Sequence, residues 1–267
     1  MTYHNALSTS DVSQMFDVDE RRVLAWINSG KLKAEKVDGV YQISEKELRH
    51  SIKKYLFKAW SAGKTHQQVL NMAKKIKRGR ALDIGAGPGA MSNDLKSIGF
   101  AVTACDLIPE LFCVDDIECN KVDINNGLSI YDSNLFDLVT CLDVIEHIKN
   151  QFYLVSEINR ILKQGGHAIF TSPNIEHLQS RIWFLFFGTF SGFKKGDYAL
   201  GHINPLYPIS YYNMLKDNGF KIMIDTYNRG WLYTSLSKNT LMKENGIEIP
   251  FNNKLFGQVK LTLVKKI

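Results

Sequence analysis

The sequence predicts an α/β protein in which a mainly parallel sheet carries helices on both faces and follows a small N-terminal domain. A glycine-rich turn at residues 85–89 joins a buried strand to a helix, and strand and helix patterns then alternate as far as Phe170. The third observation is a concentration of basic charge before residue 81. A chain of 267 residues with 45% hydrophobic residues can bury two cores. We therefore expect two domains, residues 1–60 and 61–267.

The first domain is predicted to contain two short helices, a hairpin and a third helix. The helices cover residues 11–16 and 19–28, and Asp38-Gly39 joins two runs of strand-forming residues, a strong hairpin signal. Ser44 and Glu47 form a capping box that opens the third helix, which we expect to reach about residue 60.

This order resembles the winged helix-turn-helix domains of the excisionase and MerR-like group, over residues 7–55. The resemblance implies that the second helix enters the major groove of DNA. The basic residues expected to contact DNA are Arg21, Arg22, Lys31 and Lys33. Two carboxylates, Asp19 and Glu20, begin that helix and oppose contact with phosphate, so a module for dimerisation or substrate docking is the alternative.

Charge is distributed unevenly along the chain. Residues 1–80 contain 16 Lys and Arg against 8 Asp and Glu, whereas the remaining residues contain 17 against 19. The surplus favours an anionic partner for the N-terminal part, and a solvated basic surface is the alternative explanation.

The glycine turn predicts a nucleotide-type ligand. We expect a domain boundary at residues 61–63, a helix over 65–77, a strand over 81–84 and a helix over 90–98. The turn between the last two would present bare backbone N–H groups to a ligand. The strand over 101–106 ends in Asp106, about 20 residues after the glycines, the separation of a carboxylate that binds ribose hydroxyls. These features predict an adenosine-bearing cofactor, although the glycine spacing also fits a nicotinamide or flavin site.

Five ordered blocks resemble the class I S-adenosylmethionine (SAM) dependent methyltransferases: residues 83–89, 102–106, 121–125, 136–147 and 162–170. The resemblance covers residues 64–267 and implies a Rossmann-like, seven-stranded, mainly parallel sheet with SAM as cofactor. It also implies that the turn and Asp83 hold the methionyl part, Asp106 the ribose, and residues 123–124 the adenine. The expected cofactor residues are Asp83, Gly85, Ala86, Gly87, Gly89, Asp106, Leu107, Asp123, Ile124 and Leu142. Strand-end caps and turn residues are the alternative roles, and a core position is the alternative for Leu107.

The catalytic candidates follow the fourth strand, predicted over 138–142, and the fifth, predicted over 167–171. Because the sulfonium charge already activates the methyl group, the protein must mainly align an acceptor and take up a proton. Our candidates for these tasks are Asp143, His147 and His202. His202 resembles the histidine found ahead of the last helix in many methyltransferases, and structural capping is its alternative role. Asp143, Glu146 and His147 resemble an E-x-x-E-H cluster with which some methyltransferases hold a divalent cation. Asp replaces the first Glu, and we expect these residues to shape the pocket floor without a metal.

Residues 175–208 are predicted as an insertion that forms a lid or acceptor pocket. Its aromatic run and lysines favour an apolar or glycan-lipid acceptor, a membrane-surface contact through residues 182–193, or a homodimer contact; ordinary packing is the alternative. After the insertion we expect a helix over 211–218 that is capped by Ser210. An antiparallel pair of strands over 220–227 and 258–264 should follow. A turn is also expected over residues 162–166.

We therefore expect a SAM-dependent methyltransferase that acts on oxygen or nitrogen of a small-molecule or glycan-type acceptor. The alternative is a DNA-binding regulator whose Rossmann-like domain senses SAM or an adenosyl metabolite. A third possibility is methylation of a nucleic acid or of a protein bound to it, although Ser172-Pro-Asn174 lacks the motif of amino-group DNA methyltransferases. The absence of a membrane-spanning run, a signal peptide or paired cysteines predicts a cytoplasmic protein with reduced thiols.

Overall fold

The computed structural model describes residues 6–16, 18–51, 65–199, 201–228, 243–244, 247–248 and 253–267. The expected domain boundary, the end of the third helix and most of residues 229–252 lie outside this part of the chain. Among the described residues, no helix has the length and apolar character needed to cross a membrane.

The N-terminal domain combines three helices with a three-stranded sheet. Its elements are β1 (Ala6–Leu7), α1 (Thr9–Met15), α2 (Glu20–Asn28), β2 (Glu35–Val37), β3 (Val40–Ser44) and α3 (Glu45–Ser51). Ser8 and Asp11 form a capping box at the start of α1. The strands β2 and β3 form the hairpin that Asp38-Gly39 predicts. Val12, Val23 and Ile43 are fully buried at the centre of this domain.

The larger domain is built around a seven-stranded sheet in the order β6-β5-β4-β7-β8-β12-β9. Its strands are β4 (Arg80–Ile84), β5 (Ala101–Asp106), β6 (Cys119–Lys121), β7 (Phe136–Leu142), β8 (Leu162–Pro173), β9 (Phe220–Tyr227) and β12 (Val259–Lys266). The short strands β10 (Lys243–Glu244) and β11 (Ile247–Glu248) pair with each other. Strands β6, β5, β4, β7 and β8 run parallel, and β12 is antiparallel to both β8 and β9. The predicted mainly parallel sheet is confirmed.

Helices cover both faces of this sheet because its central strands are apolar on both sides. The helices are α4 (Thr65–Ala73), α5 (Ala90–Ser97), α6 (Gln151–Ile161), α7 (Leu178–Phe187), α8 (Lys195–Ala199), α9 (Pro208–Asp217) and α10 (Asn253–Phe256). Leu138 and Ile169 pack toward α4 and α5, whereas Val139 and Phe170 pack toward α6 and α9. The carboxyl ends of β4, β5, β7 and β8 consequently meet along one edge, where ligands bind in this architecture.

Two local predictions are wrong. The residues expected to form a turn over 162–166 belong to β8, where a shift in its pairing with β7 absorbs an irregularity. Gly166 permits this because a Cβ there would lie 2.8 Å from the Lys163 carbonyl oxygen. Ser210 does not cap α9, which begins at Pro208, since the fixed φ of proline suits the first helical position.

Candidate active site

The glycine turn between β4 and α5 lies so close to its neighbours that side chains would not fit. A Cβ on Gly85 would collide with the side chain of Val144, and one on Gly89 would lie 2.7 Å from both Phe112 and Val114. Both glycines also have left-handed backbone, with φ of 66° and 95°. These two positions therefore require glycine for space and for conformation.

The N–H groups of the turn are not bare, contrary to the sequence expectation. The N–H groups of Gly85 and Ala86 donate to the Cys105 carbonyl, and that of Gly87 donates to Oδ2 of Asp106 at 2.8 Å. The reason is that the turn folds over the end of β5. Its N–H groups thus fix the turn and Asp106 to each other.

Asp106 lies at the end of β5, half-buried beside the turn. Its Oδ1 accepts from the N–H of Ile108 at 2.9 Å, so each carboxylate oxygen has one backbone donor and retains capacity for another. The neighbouring Leu107 side chain is 58% exposed, which excludes the core role offered as its alternative. The carboxylate and an open apolar side chain thus lie side by side.

Asp83 has a different environment from Asp106. Its side chain is buried and accepts from Ser92 Oγ at 2.6 Å and from Thr140 Oγ1 at 2.7 Å. Burial raises the pKa of this carboxyl, and the two hydroxyl donors oppose the rise. Asp83 therefore ties together β4, β7 and α5.

The remaining expected cofactor residues lie at strand ends or against the core. Asp123 caps a 3-10 turn (Ile124–Asn126) through its bond from the Asn125 N–H. Ile124 packs on the core beside α6, and Leu142 packs on the opposite core beside α5. Contact of these residues with a cofactor stays a prediction.

A cavity of about 300 Å³ lies where β7 and β8 end. Its walls include Asp143, Glu146, Pro173, His177, Gly192 and His202. The catalytic candidates Asp143 and His202, which are far apart in sequence, thus line one space. His147 is not among the residues that line the cavity, but its ring packs edge-on against His202, with the centroids 4.7 Å apart.

Asp143 has an unusual backbone for a residue other than glycine. Its φ is 52°, in the left-handed region, and Thr171 Oγ1 holds its Oδ1 at 2.7 Å while accepting from its N–H at 2.9 Å. Such strain is typical of functional positions. The carboxylate is thereby fixed at the cavity wall.

The two imidazoles differ in what they offer. Nδ1 of His202 lies 2.6 Å from the Gly192 carbonyl oxygen, so this nitrogen carries the hydrogen and Nε2 retains a lone pair in the neutral ring. Burial and the neighbouring His202 lower the pKa of His147 from 6.5 to about 4. His147 is therefore neutral at pH 7.

Glu146 is fully buried beside these rings. Neither of its carboxylate oxygens has a hydrogen-bond partner among the described residues, although the Ser172 hydroxyl lies near enough to favour the charged form. Burial and the charge of Asp143 nevertheless raise its pKa well above the usual range. Glu146, His147 and His202 each offer one ligand atom, all within 4.8 Å of one another, so they could hold a divalent ion. Sequence reasoning missed the pairing of His202 with Glu146 because no spacing signal connects residues so far apart.

The basic residues of the N-terminal domain remain on its surface. Arg22, Lys31 and Lys33 are exposed, whereas the Arg21 guanidinium is engaged by both carboxylate oxygens of Asp19, at 3.0 and 2.9 Å. A second cavity, of about 570 Å³, lies in this domain. Of the four residues expected to contact DNA, Lys33 lines it.

Comparison with known proteins assigns both parts of the chain. A family model described as a methyltransferase domain matches residues 52–223, and a helix-turn-helix domain model matches residues 6–55. This chain belongs to the methyltransferase family. Solved structures that share its fold include SAM-dependent methyltransferases.

One such structure is a SAM-dependent methyltransferase from Archaeoglobus fulgidus, with a TM-score of 0.56, 21% identity, and coverage of 76% of this chain and 95% of the other. Another is the N-methyltransferase NodS from Bradyrhizobium japonicum WM9, solved with S-adenosyl-L-homocysteine (SAH). Its TM-score is 0.50, with 14% identity and coverage of 82% and 98%. At these identities the likeness shows the fold.

Curated relatives include ubiquinone biosynthesis O-methyltransferases. Those of Xanthomonas oryzae pv. oryzae (strain PXO99A) and Burkholderia ambifaria (strain MC40-6) are 31% and 29% identical over 103 residues. The match covers 36% of this chain and 43% and 44% of the relatives. The chain therefore spans less than half the length of these relatives.

The lowered pKa of His147 predicts a loss of stability in acid. Between pH 6.5 and about 4 the unfolded chain binds a proton at this residue and the folded chain does not, so its contribution to the unfolding free energy falls as the pH falls. Urea unfolding at pH 7.5 and pH 5.0 should show a smaller loss for His147→Gln than for the wild type. The exposed His50→Gln serves as control and should lose as much as the wild type. An equal loss in all three proteins would contradict the assignment.

Proposed function

We propose that this methyltransferase transfers the methyl group of SAM to an oxygen atom of a small-molecule or glycan-type acceptor. The observation that carries the proposal is His202, which lies in the cavity wall with Nδ1 held by the Gly192 carbonyl, so that the lone pair of the neutral ring is on Nε2. A hydroxyl acceptor needs such a base, whereas a neutral amine already has a free lone pair. The names of the curated relatives agree with transfer to oxygen.

The cofactor, in this proposal, lies across the ends of β4 and β5. Asp106 binds the ribose hydroxyls with its remaining acceptor capacity, Leu107 packs on the adenine, and the turn Gly85-Ala86-Gly87 contacts the methionyl part. Asp83 acts indirectly, because it holds the start of α5 by accepting a hydrogen bond from Ser92. Asp123, Ile124 and Leu142 complete the wall.

When bound, SAM supplies a methyl group that its sulfonium charge has already activated. The chain aligns the acceptor oxygen behind that methyl carbon, in line with the bond to sulfur. The oxygen–carbon bond forms as the sulfur–carbon bond breaks, SAH is left, and the hydroxyl proton passes to Nε2 of His202. Asp143 orients the hydroxyl by accepting its hydrogen bond beforehand. Burial shifts Glu146 toward its neutral form, and the proposed transfer requires no metal.

The surface beside the cavity suits an acceptor with an apolar portion. Leu178, Ile182, Leu185 and Phe186 recur at helical spacing along α7 and are 44–77% exposed. The helix begins directly after His177, which lines the cavity. An acceptor could thus place its hydroxyl in the cavity and its apolar portion along α7. Arg181, Lys194 and Lys195 flank this surface and support contact of residues 182–193 with an anionic membrane rather than with a second copy.

A second function, DNA binding, is favoured by the helix-turn-helix match and by the exposed basic residues. We propose that Arg22, Lys31 and Lys33 contact DNA, with Arg21 joining them once it leaves Asp19. The methyltransferase match favours catalysis over a purely sensory role for the larger domain.

Removal of the Asp106 carboxylate should weaken cofactor binding. We expect Asp106→Ala to raise the Kd for SAH about 10- to 100-fold in isothermal titration calorimetry, since hydrogen bonds to a charged group are lost. The exposed Asp132→Ala carries the same change of charge and should bind SAH as the wild type does. Equal affinity in both variants would remove Asp106 from the site.

Replacement of His202 should slow the transfer and leave cofactor binding intact. With methyl-labelled SAM and a panel of isoprenoid phenols, hexoses and nucleotide sugars, we expect label in an oxygen of at least one class. On that acceptor His202→Gln should lower kcat about 100- to 10,000-fold with the Kd for SAH within about twofold of wild type. EDTA should leave the wild-type rate unchanged. Label found only on amines would refute the oxygen acceptor. A rate that EDTA abolishes and added Mg²⁺ or Zn²⁺ restores would refute the metal-free mechanism.

A further inference from the structure

One short segment, Leu107 to Val114, touches both domains. On one side, the buried side chains of Leu111 and Cys113 belong to the hydrophobic core of the N-terminal domain, together with Val23 and Ile43. Ile108 packs against the same core. We call residues 107–114 the bridging segment. The N-terminal domain therefore completes its core with residues from the larger domain.

The opposite side of the bridging segment packs on the cofactor turn. Phe112 and Val114 form a second cluster that includes Ala86 of the turn. Both side chains also occupy the space where a Cβ on Gly89 would lie. The Cys113 N–H donates to the Pro88 carbonyl at 3.1 Å. Leu111 and Cys113 thus face the N-terminal core, whereas Phe112 and Val114 face the glycine turn.

The bridging segment directly follows Asp106, the carboxylate proposed to bind ribose. The N–H of Ile108 donates to Oδ1 of Asp106, while Oδ2 of Asp106 accepts from Gly87. Movement of the segment would therefore shift a donor of this carboxylate as well as the packing of the turn.

A side chain of the N-terminal domain holds the backbone of this segment by a hydrogen bond. Arg49, in α3, donates from Nη2 to the Phe112 carbonyl at 3.1 Å. The Cys113 thiol lies 3.2 Å from the Leu111 carbonyl oxygen and 3.9 Å from that of Arg49. This carbonyl lies between Phe112, whose side chain packs on the glycine turn, and Cys113, whose side chain packs in the N-terminal core.

We propose that Arg49 is a positioning residue of the cofactor site, and that cofactor binding and the order of the N-terminal domain are coupled through the bridging segment. The inference rests on the proposed role of Asp106. A segment held in place by Arg49 presents the turn and Asp106 in the arrangement that binds the adenosine. By linkage, a bound cofactor steadies the segment and hence the N-terminal core to the same extent. A ligand of the N-terminal domain would then bind more tightly when the cofactor is present.

The first test measures the Kd for SAH in the full chain by isothermal titration calorimetry. We expect Arg49→Gln to raise it about 3- to 10-fold, because one hydrogen bond that holds the segment is lost. Arg49→Lys keeps a donor and should recover most of the affinity. Lys46→Gln, on the same helix and exposed, removes the same charge and should bind as the wild type does.

The second test uses the wild type alone. Hydrogen exchange with and without saturating SAH should show slower exchange of amides in α2, the helix whose Val23 side chain belongs to the core shared with the bridging segment. A domain that is merely tethered would show no change. This measurement decides the question even if Arg49→Gln fails to fold.

The outcomes separate the two proposals. Slower exchange in α2 and weaker binding by Arg49→Gln than by Lys46→Gln support the coupling. If the wild type binds SAH but exchange in α2 is unchanged, the coupling is overturned. Equal affinities of Arg49→Gln and Lys46→Gln for SAH overturn it as well. Either result leaves the proposed cofactor site standing. Absence of SAH binding to the wild type overturns the proposed site and the coupling with it.

Discussion

The proposed cofactor site depends on the close approach of the glycine turn to the ends of neighbouring strands. The turn lies against Val144 after β7 and against Phe112 and Val114 after β5, with no room for a side chain at Gly85 or Gly89. Its N–H groups are used to hold the end of β5 and Asp106. The geometry of the proposed cofactor wall is therefore set by backbone packing, and the residues that contact the turn from outside help to fix that geometry.

Electrostatics in the acceptor cavity follow from burial. Glu146 and His147 lie where charge is poorly solvated, so burial raises the pKa of the acid and lowers that of the imidazole, and both tend toward the neutral form. Asp143 and His202 line the cavity and are the groups proposed to interact with an acceptor. In the proposed reaction the methyl donor carries a sulfonium charge, which a carboxylate in the cavity wall would offset.

The sequence predicted those features that arise from local geometry. The strand, turn and helix around Gly85, and the position of Asp106 at the next strand end, follow from periodicity and from one fixed separation. The errors have equally local causes: Gly165 and Gly166 suggested a turn where the strand continues, and the N–H groups of the turn found partners on β5. Contacts between His202 and His147, or between Leu111 and the N-terminal core, could not be predicted, because they join residues far apart in sequence that carry no shared pattern.

The left-handed backbone of Asp143 places two selective pressures in opposition. Glycine would relax the strain of a φ of 52°, which favours that replacement for stability, whereas loss of the hydrogen bond from Thr171 opposes it. The same replacement would delete the carboxylate from the cavity wall. If Asp143 has the proposed role, glycine at this position would cost turnover whatever it does for stability, and libraries intended for stabilisation should leave this codon untouched.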